Sequence, residues 1–132
     1  MSDISKKKPI LQLLISSKGK KNFNFLDEMF HKCDADQFSI LLVDQTNRET
    51  NFKPFHKKYS FAYYNIPSNG LSNSRNFAIN KSDADICLIC DDDVVFENDF
   101  ANIIIKSFQN EKSADIITFR ANNSLNKLFK KY

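Results

Sequence analysis

Glycine is nearly missing from this chain of 132 residues: only Gly19 and Gly70 are present. That scarcity excludes a G-x-G-x-x-G turn and a Walker A loop, both of which need glycines close together so that backbone can approach a phosphate. Any phosphate held here must be neutralised by a metal and by side chains. Tryptophan is absent, and the two histidines, His31 and His56, have no partner at ligand spacing, which argues against a His-based metal site. No run approaches the ~20 apolar residues of a membrane span, and the start, Met1 to Lys8, is polar rather than signal-like.

Cysteine is sparse too. Cys33, Cys87 and Cys90 are an odd number, and without a secretory signature they indicate a reducing, cytoplasmic setting. None has the His–Asp surroundings of a nucleophilic thiol. Cys87 and Cys90 form a C-x-x-C inside an apolar run. In a strand, positions three apart face opposite ways, so the two read as small core residues and not as a metal or redox pair.

The remaining composition is that of one globular domain, with 42% hydrophobic and 27% charged residues. The net charge of +3 is mild. Lysines gather at Lys6 to Lys8, Lys18 to Lys21, Lys57-Lys58 and Lys130-Lys131, among Phe23, Phe25, Phe55 and Phe129. Basic and aromatic residues together can bind single-stranded nucleic acid. Here they read as a solvated lysine face over an ordinary core, with no nucleic-acid partner; a nucleotide or an anionic membrane surface would also suit them.

Apolar periodicity predicts strands at Ile10 to Ile15, Phe38 to Val43, Tyr59 to Asn65, Ile86 to Cys90 and Asp115 to Arg120. Between them it predicts helices over Phe23 to Cys33 (capped by Asn22 or Asn24), from Ser72 to about Lys81, and from Asn98 to Glu111. The core then covers about residues 9–120, with 121–132 a helical tail carrying Leu125, Leu128, Phe129 and Tyr132 on one face. That tail reads as packing on the domain, or as a weak basic contact with a membrane surface. Strands alternating with helices imply an open, mainly parallel α/β sheet with helices on both faces.

In such sheets ligands bind beyond the carboxyl ends of the strands. Ser16-Ser17, Asp44 to Asn47 and Asp91 to Asp93 all fall at such ends. Three adjacent carboxylates are comfortable only in water or beside cations. A hard divalent ion is the usual companion, since Mg²⁺ takes oxygen ligands and leaves positions open for phosphate. Taken alone, an Asp-Asp pair fits an acidic loop or helix cap more readily.

The segment Gly70-Leu71-Ser72-Asn73-Ser74-Arg75-Asn76-Phe77-Ala78-Ile79, followed by an apolar strand and Asp91-Asp92-Asp93-Val94, resembles the core of family 2 glycosyltransferases. The resemblance spans about residues 9 to 120 and implies a GT-A fold, Rossmann-like. It implies that Ser16 and Asp44 lie against the base of a nucleotide-sugar, a UDP-sugar being favoured, with Asp44 accepting from a ring nitrogen. Arg75 would hold the nucleotide pocket together or meet its phosphates, Asp91 or Asp92 would contact the ribose, and Asp93, with Asp91, would hold Mg²⁺ or Mn²⁺. The implied reaction is inverting transfer to a glycan hydroxyl, in the usual case for a cell-surface polysaccharide.

Family members run on for about another hundred residues, a domain-scale length, and no residue here matches their catalytic base. The resemblance therefore implies the nucleotide-sugar half of the fold, cut short: a truncated product, a fragment, or a half that works with a second chain. The alternatives are a nucleotide-binding module that does not catalyse, and a phospho-acceptor signalling domain. The latter wants an acidic pair after the first strand, where this chain has Ser16-Ser17.

Overall fold

The computed structural model describes residues 10–122. Four strands, β1 (Leu11–Ser17), β2 (Ser39–Asp44), β3 (Ala62–Asn65) and β4 (Ile86–Asp91), form one sheet in the order β3-β2-β1-β4. Every pairing is parallel. Three helices connect them or follow: α1 (Phe25–Phe30), α2 (Leu71–Lys81) and α3 (Phe100–Asn110). The expected α/β class with a parallel sheet is what forms.

β1 is paired on both edges, so both of its faces must be apolar, and Leu11 to Ile15 is buried without interruption. Leu11, Leu13 and Ile15 join Ile40 and Leu42 on one face, packed against Leu26, Met29 and Phe30 of α1 and Phe100, Ala101 and Ile104 of α3. Leu14, Leu41 and Val43 fill the opposite face against Ala78 of α2. Helices therefore cover both faces, with the larger core on the α1–α3 side.

That larger core is aromatic. Phe23 lies 5.3 to 6.1 Å, centroid to centroid, from Phe25, Phe52, Phe61 and Tyr63, mostly edge to face. Phe30 stacks on Phe96 at 5.4 Å. The segment before β3 is pinned from within: His56 Nε2 pairs with Asp27 at 3.2 Å, and its Nδ1 accepts the N–H groups of Lys58 and Tyr59.

Several boundaries move from those the sequence predicts. α1 is shorter than Phe23 to Cys33; Asn24 stands before it without a side-chain cap bond, while Asn22 Oδ1 accepts the Asn24 N–H. α2 opens at Leu71, not behind a Ser72 cap, because Gly70 turns the chain at φ +99, a conformation side chains resist. β3 is confined to its last four expected residues. The fifth strand expected at Asp115 to Arg120 does not form, and Ile116 is 83% exposed. Its β-branched residues carry a propensity, but a strand needs a neighbour's ladder, and none of the described residues pairs with the outer edge of β4.

Of the two paired cysteines only Cys90 is core; Cys87 is exposed, because α2 packs over β1 and β2 and leaves that face of β4 uncovered. The expected helix of the tail lies outside the described residues from 123 onward, and 121–122 have no regular structure. No helix among the described residues is long and apolar enough to cross a membrane.

The Phe23 cluster sets an expectation for stability. Phe23→Ala should cost about 3–5 kcal/mol in urea unfolding, from lost burial plus the cavity. Phe55→Ala, at a site 74% exposed, should stay within about 0.5 kcal/mol of wild type.

Candidate functional site

Parallel register delivers the strand ends to one edge. Ser17 stands opposite Asp44, Asp44 opposite Asn65, and Ser16 opposite Asp91. β2 and β4 lie on opposite sides of β1, so the strand order reverses at β1, and in sheets of this kind ligands take the crevice beyond the strand ends at such a reversal. Alternation then sends the predicted residues to two faces. Ser16 and Asp91 share the α2 face with Leu14, while Asp44 shares the α1–α3 face with Leu42.

On the α2 face, the first turns of α2 reach both strands. Ser74, fully buried, meets Ser16 with 2.6 Å between their hydroxyl oxygens. Arg75 Nη2 donates to Asp91 Oδ1 at 3.3 Å. That pair is 39% and 54% exposed, so it adds little to stability and opens cheaply for a ligand. Arg75 Nε is buried with no partner, leaving the guanidinium a donor to spare. Asp92 and Asp93 lie in the turn after β4, Asp92 half-buried and Asp93 exposed.

On the other face Asp44 has no exposed surface. Its Oδ1 accepts the Thr46 N–H at 3.0 Å; Oδ2 accepts from Arg48 Nε at 2.8 Å and from the Tyr63 hydroxyl at 2.6 Å. Burial by itself would raise this carboxyl, but the hydrogen bonds from Thr46, Tyr63 and Arg48 outweigh it and hold the group below its ordinary range. Burial, and then Asp44 beside it, push the Tyr63 hydroxyl up. Arg48 also donates from Nη2 to Lys20 O at 2.6 Å and lies over Phe52, 4.2 Å from the ring centroid. The Asp44 carboxylate, for which the resemblance implies a base contact, faces inward here and braces the loops around it.

Those loops are laced together. Gly19 N–H donates to Thr46 Oγ1 at 2.7 Å, Gln45 Nε2 to Gly70 O at 2.9 Å, and Lys18 Nζ to Asn69 Oδ1 at 2.9 Å. A shallow cavity of ≈ 390 Å³, lined by residues 54–61, lies before the amino end of β3, away from this edge.

A family model described as Glycosyl transferase family 2 matches residues 20–132. The chain belongs to that family. No curated protein and no solved structure matches it. In this family 2 domain the motif Gly70 to Ile79 is the entry to α2 and most of its length, and its placement explains the residue types. Gly70 makes the turn, Ser74 fits where only a small side chain can meet Ser16, and Arg75 reaches Asp91 at the end of β4.

Among the described residues no group of three or more His, Cys, Asp or Glu side chains is arranged to hold a metal ion. Asp91 and Asp93 are nonetheless exposed oxygen donors on one turn, and Mg²⁺ commonly takes one or two carboxylates with the rest from phosphate. The donor set fits a metal shared with a ligand, not a self-sufficient cage. Cys90, beside this turn, is no nucleophile: burial, with the charges of Asp91 and Asp92, pushes its thiol up to about 12.

Sequence reasoning named Ser16, Asp44, Arg75 and Asp91 to Asp93, and gave no role to Arg48 and Tyr63, which hold Asp44. Ser74 lay within the quoted motif without a role. Asp44 is lowered in the fold, so its stabilisation is present above the unfolded carboxylate value of about 3.9 and is lost as pH falls through the folded one. Asp44→Asn should cost about 3 kcal/mol at pH 7, leaving Arg48 unpaired, and should flatten the acid limb of a plot of unfolding free energy against pH.

Proposed function

We propose that this domain binds a nucleoside-diphosphate sugar, with a UDP-sugar favoured, as the donor for inverting transfer to a hydroxyl of a glycan acceptor. The observation that carries the reading is the reversal of strand order at β1, where Ser16 and Asp91 are register partners and α2 supplies Ser74 and Arg75.

Residue by residue, Arg75 trades its exposed contact with Asp91 for phosphate oxygens, using its Nη groups. Asp91 or Asp92 accepts from ribose hydroxyls. Ser16, anchored by Ser74, lines the floor beside the base. Asp44 stands behind the Gln45 to Asn47 turn and sets its shape through Thr46 and Arg48. Asp93, with Asp91, would hold Mg²⁺ or Mn²⁺, which supplies charge neutralisation for the departing diphosphate. Among the described residues none is assigned as the base for the acceptor hydroxyl. Polysaccharide synthesis in a cytoplasmic setting fits the donor chemistry.

Calorimetric titration with UDP decides the matter. Mn²⁺ should tighten binding by about tenfold or more, and Asp93→Ala should lose that gain while keeping its fold. A folded wild-type protein that takes up no UDP, with or without Mn²⁺, would overturn the reading.

A further inference from the structure

Resting on that donor reading, we infer that Lys18 is a diphosphate-binding cation, which gives donor binding a component that needs no metal. Lys18 is the first residue beyond β1, exposed, and two positions past Ser16 on the same alternation. Its ammonium reaches Asn69 Oδ1, a neutral acceptor, at 2.9 Å. Two of its three N–H donors stay free, and among the described residues it has no carboxylate partner. No Asp or Glu occurs between Asp3 and Asp27.

The start of α2 measures how close Lys18 lies to Ser16 and Asp91. Asn69 O accepts from Asn73 Nδ2 at 2.8 Å, the next residue Ser74 touches Ser16, and the one after, Arg75, touches Asp91. Lys18 is therefore met by Asn69, two residues before α2, and Ser16 and Asp91 by Ser74 and Arg75 in its first turns. Gly19, at φ +83 and bonded to Thr46, fixes the turn that holds Lys18 there.

Charge balance shows why such a cation matters. Arg75 and a divalent ion together only cancel Asp91, Asp92 and Asp93. Nothing is then left over for a ligand bearing two or more negative charges. Lys18 is the first surplus positive charge at this edge, and with only two glycines no backbone nest can replace it. Releasing Asn69 costs one exposed hydrogen bond, so the ammonium is free to move to a phosphate oxygen.

The test compares UDP with uridine in EDTA, on wild type, Lys18→Met and Lys18→Arg, each checked for an unchanged melting temperature. The ratio of UDP to uridine affinity should be about tenfold higher in wild type than in Lys18→Met, by a margin that shrinks with salt. Lys18→Met should leave uridine affinity unchanged to within about twofold, and Lys18→Arg should keep the wild-type ratio. Two results overturn the inference: an equal ratio of UDP to uridine affinity in wild type and Lys18→Met, or a parallel loss of uridine affinity. Mn²⁺-dependent UDP binding that survives either of these leaves the donor reading standing.

Discussion

The structure depends on β1 being a strand with no free side. It is hydrogen-bonded to β2 on one edge and β4 on the other, and it is covered by α2 on one face and by α1 and α3 on the other. A slip of one residue would exchange its two faces and bring Gln12 and Ser16 into the larger core, so its register is strongly specified. Because both neighbours run parallel to it, the same register fixes where all three strands end. Ser16, Ser17, Asp44 and Asp91 share one edge as a consequence of how β1 is buried.

Two acids at that edge show how environment divides labour. Asp44 and Asp91 each close an apolar strand, and each faces an arginine. Asp44 ends β2, which has strands on both sides and a loop folded over its tip, and its charge is fully enclosed by Arg48, Tyr63 and Thr46. Breaking such a pair leaves a buried charge uncompensated. Asp91 ends β4, an edge strand, and its pair with Arg75 is wet and loosely held. The first is architecture; the second is available for chemistry.

The molecule is correspondingly lopsided. On the β3 side, Phe23, Phe52, Phe61 and Tyr63 gather into one aromatic cluster around Arg48. On the β4 side, Ile89 is 42% exposed, and Ile116 and Phe119 stand off the body. Hydrogen bonds are concentrated around the loops that brace Asp44, while in the turn after β4 Asp93 is exposed and its carboxylate makes none among the described residues.

Much of this was legible in the chain itself. Apolar runs closed by Ser16-Ser17, Asp44 and Asp91 located three strand ends, and alternation of strand and helix implied that they share an edge, since parallel strands must end alike. The motif from Gly70 to Ile79 carried the family, because a glycine turn, a small buried serine and an arginine occupy fixed offsets on one helix. The sequence did not reveal which way each acid faces. That depended on Arg48 and Tyr63, distant partners whose meeting with Asp44 follows from loop closure and cross-strand pairing. Nor could propensity tell that Asp115 to Arg120 stays unpaired, because a strand is a property of two segments. Local pattern determined the elements, their order and the residues at their ends; only the assembled sheet decided which charges are enclosed and which stand ready for a ligand, because desolvation and partners arise between segments and not within them.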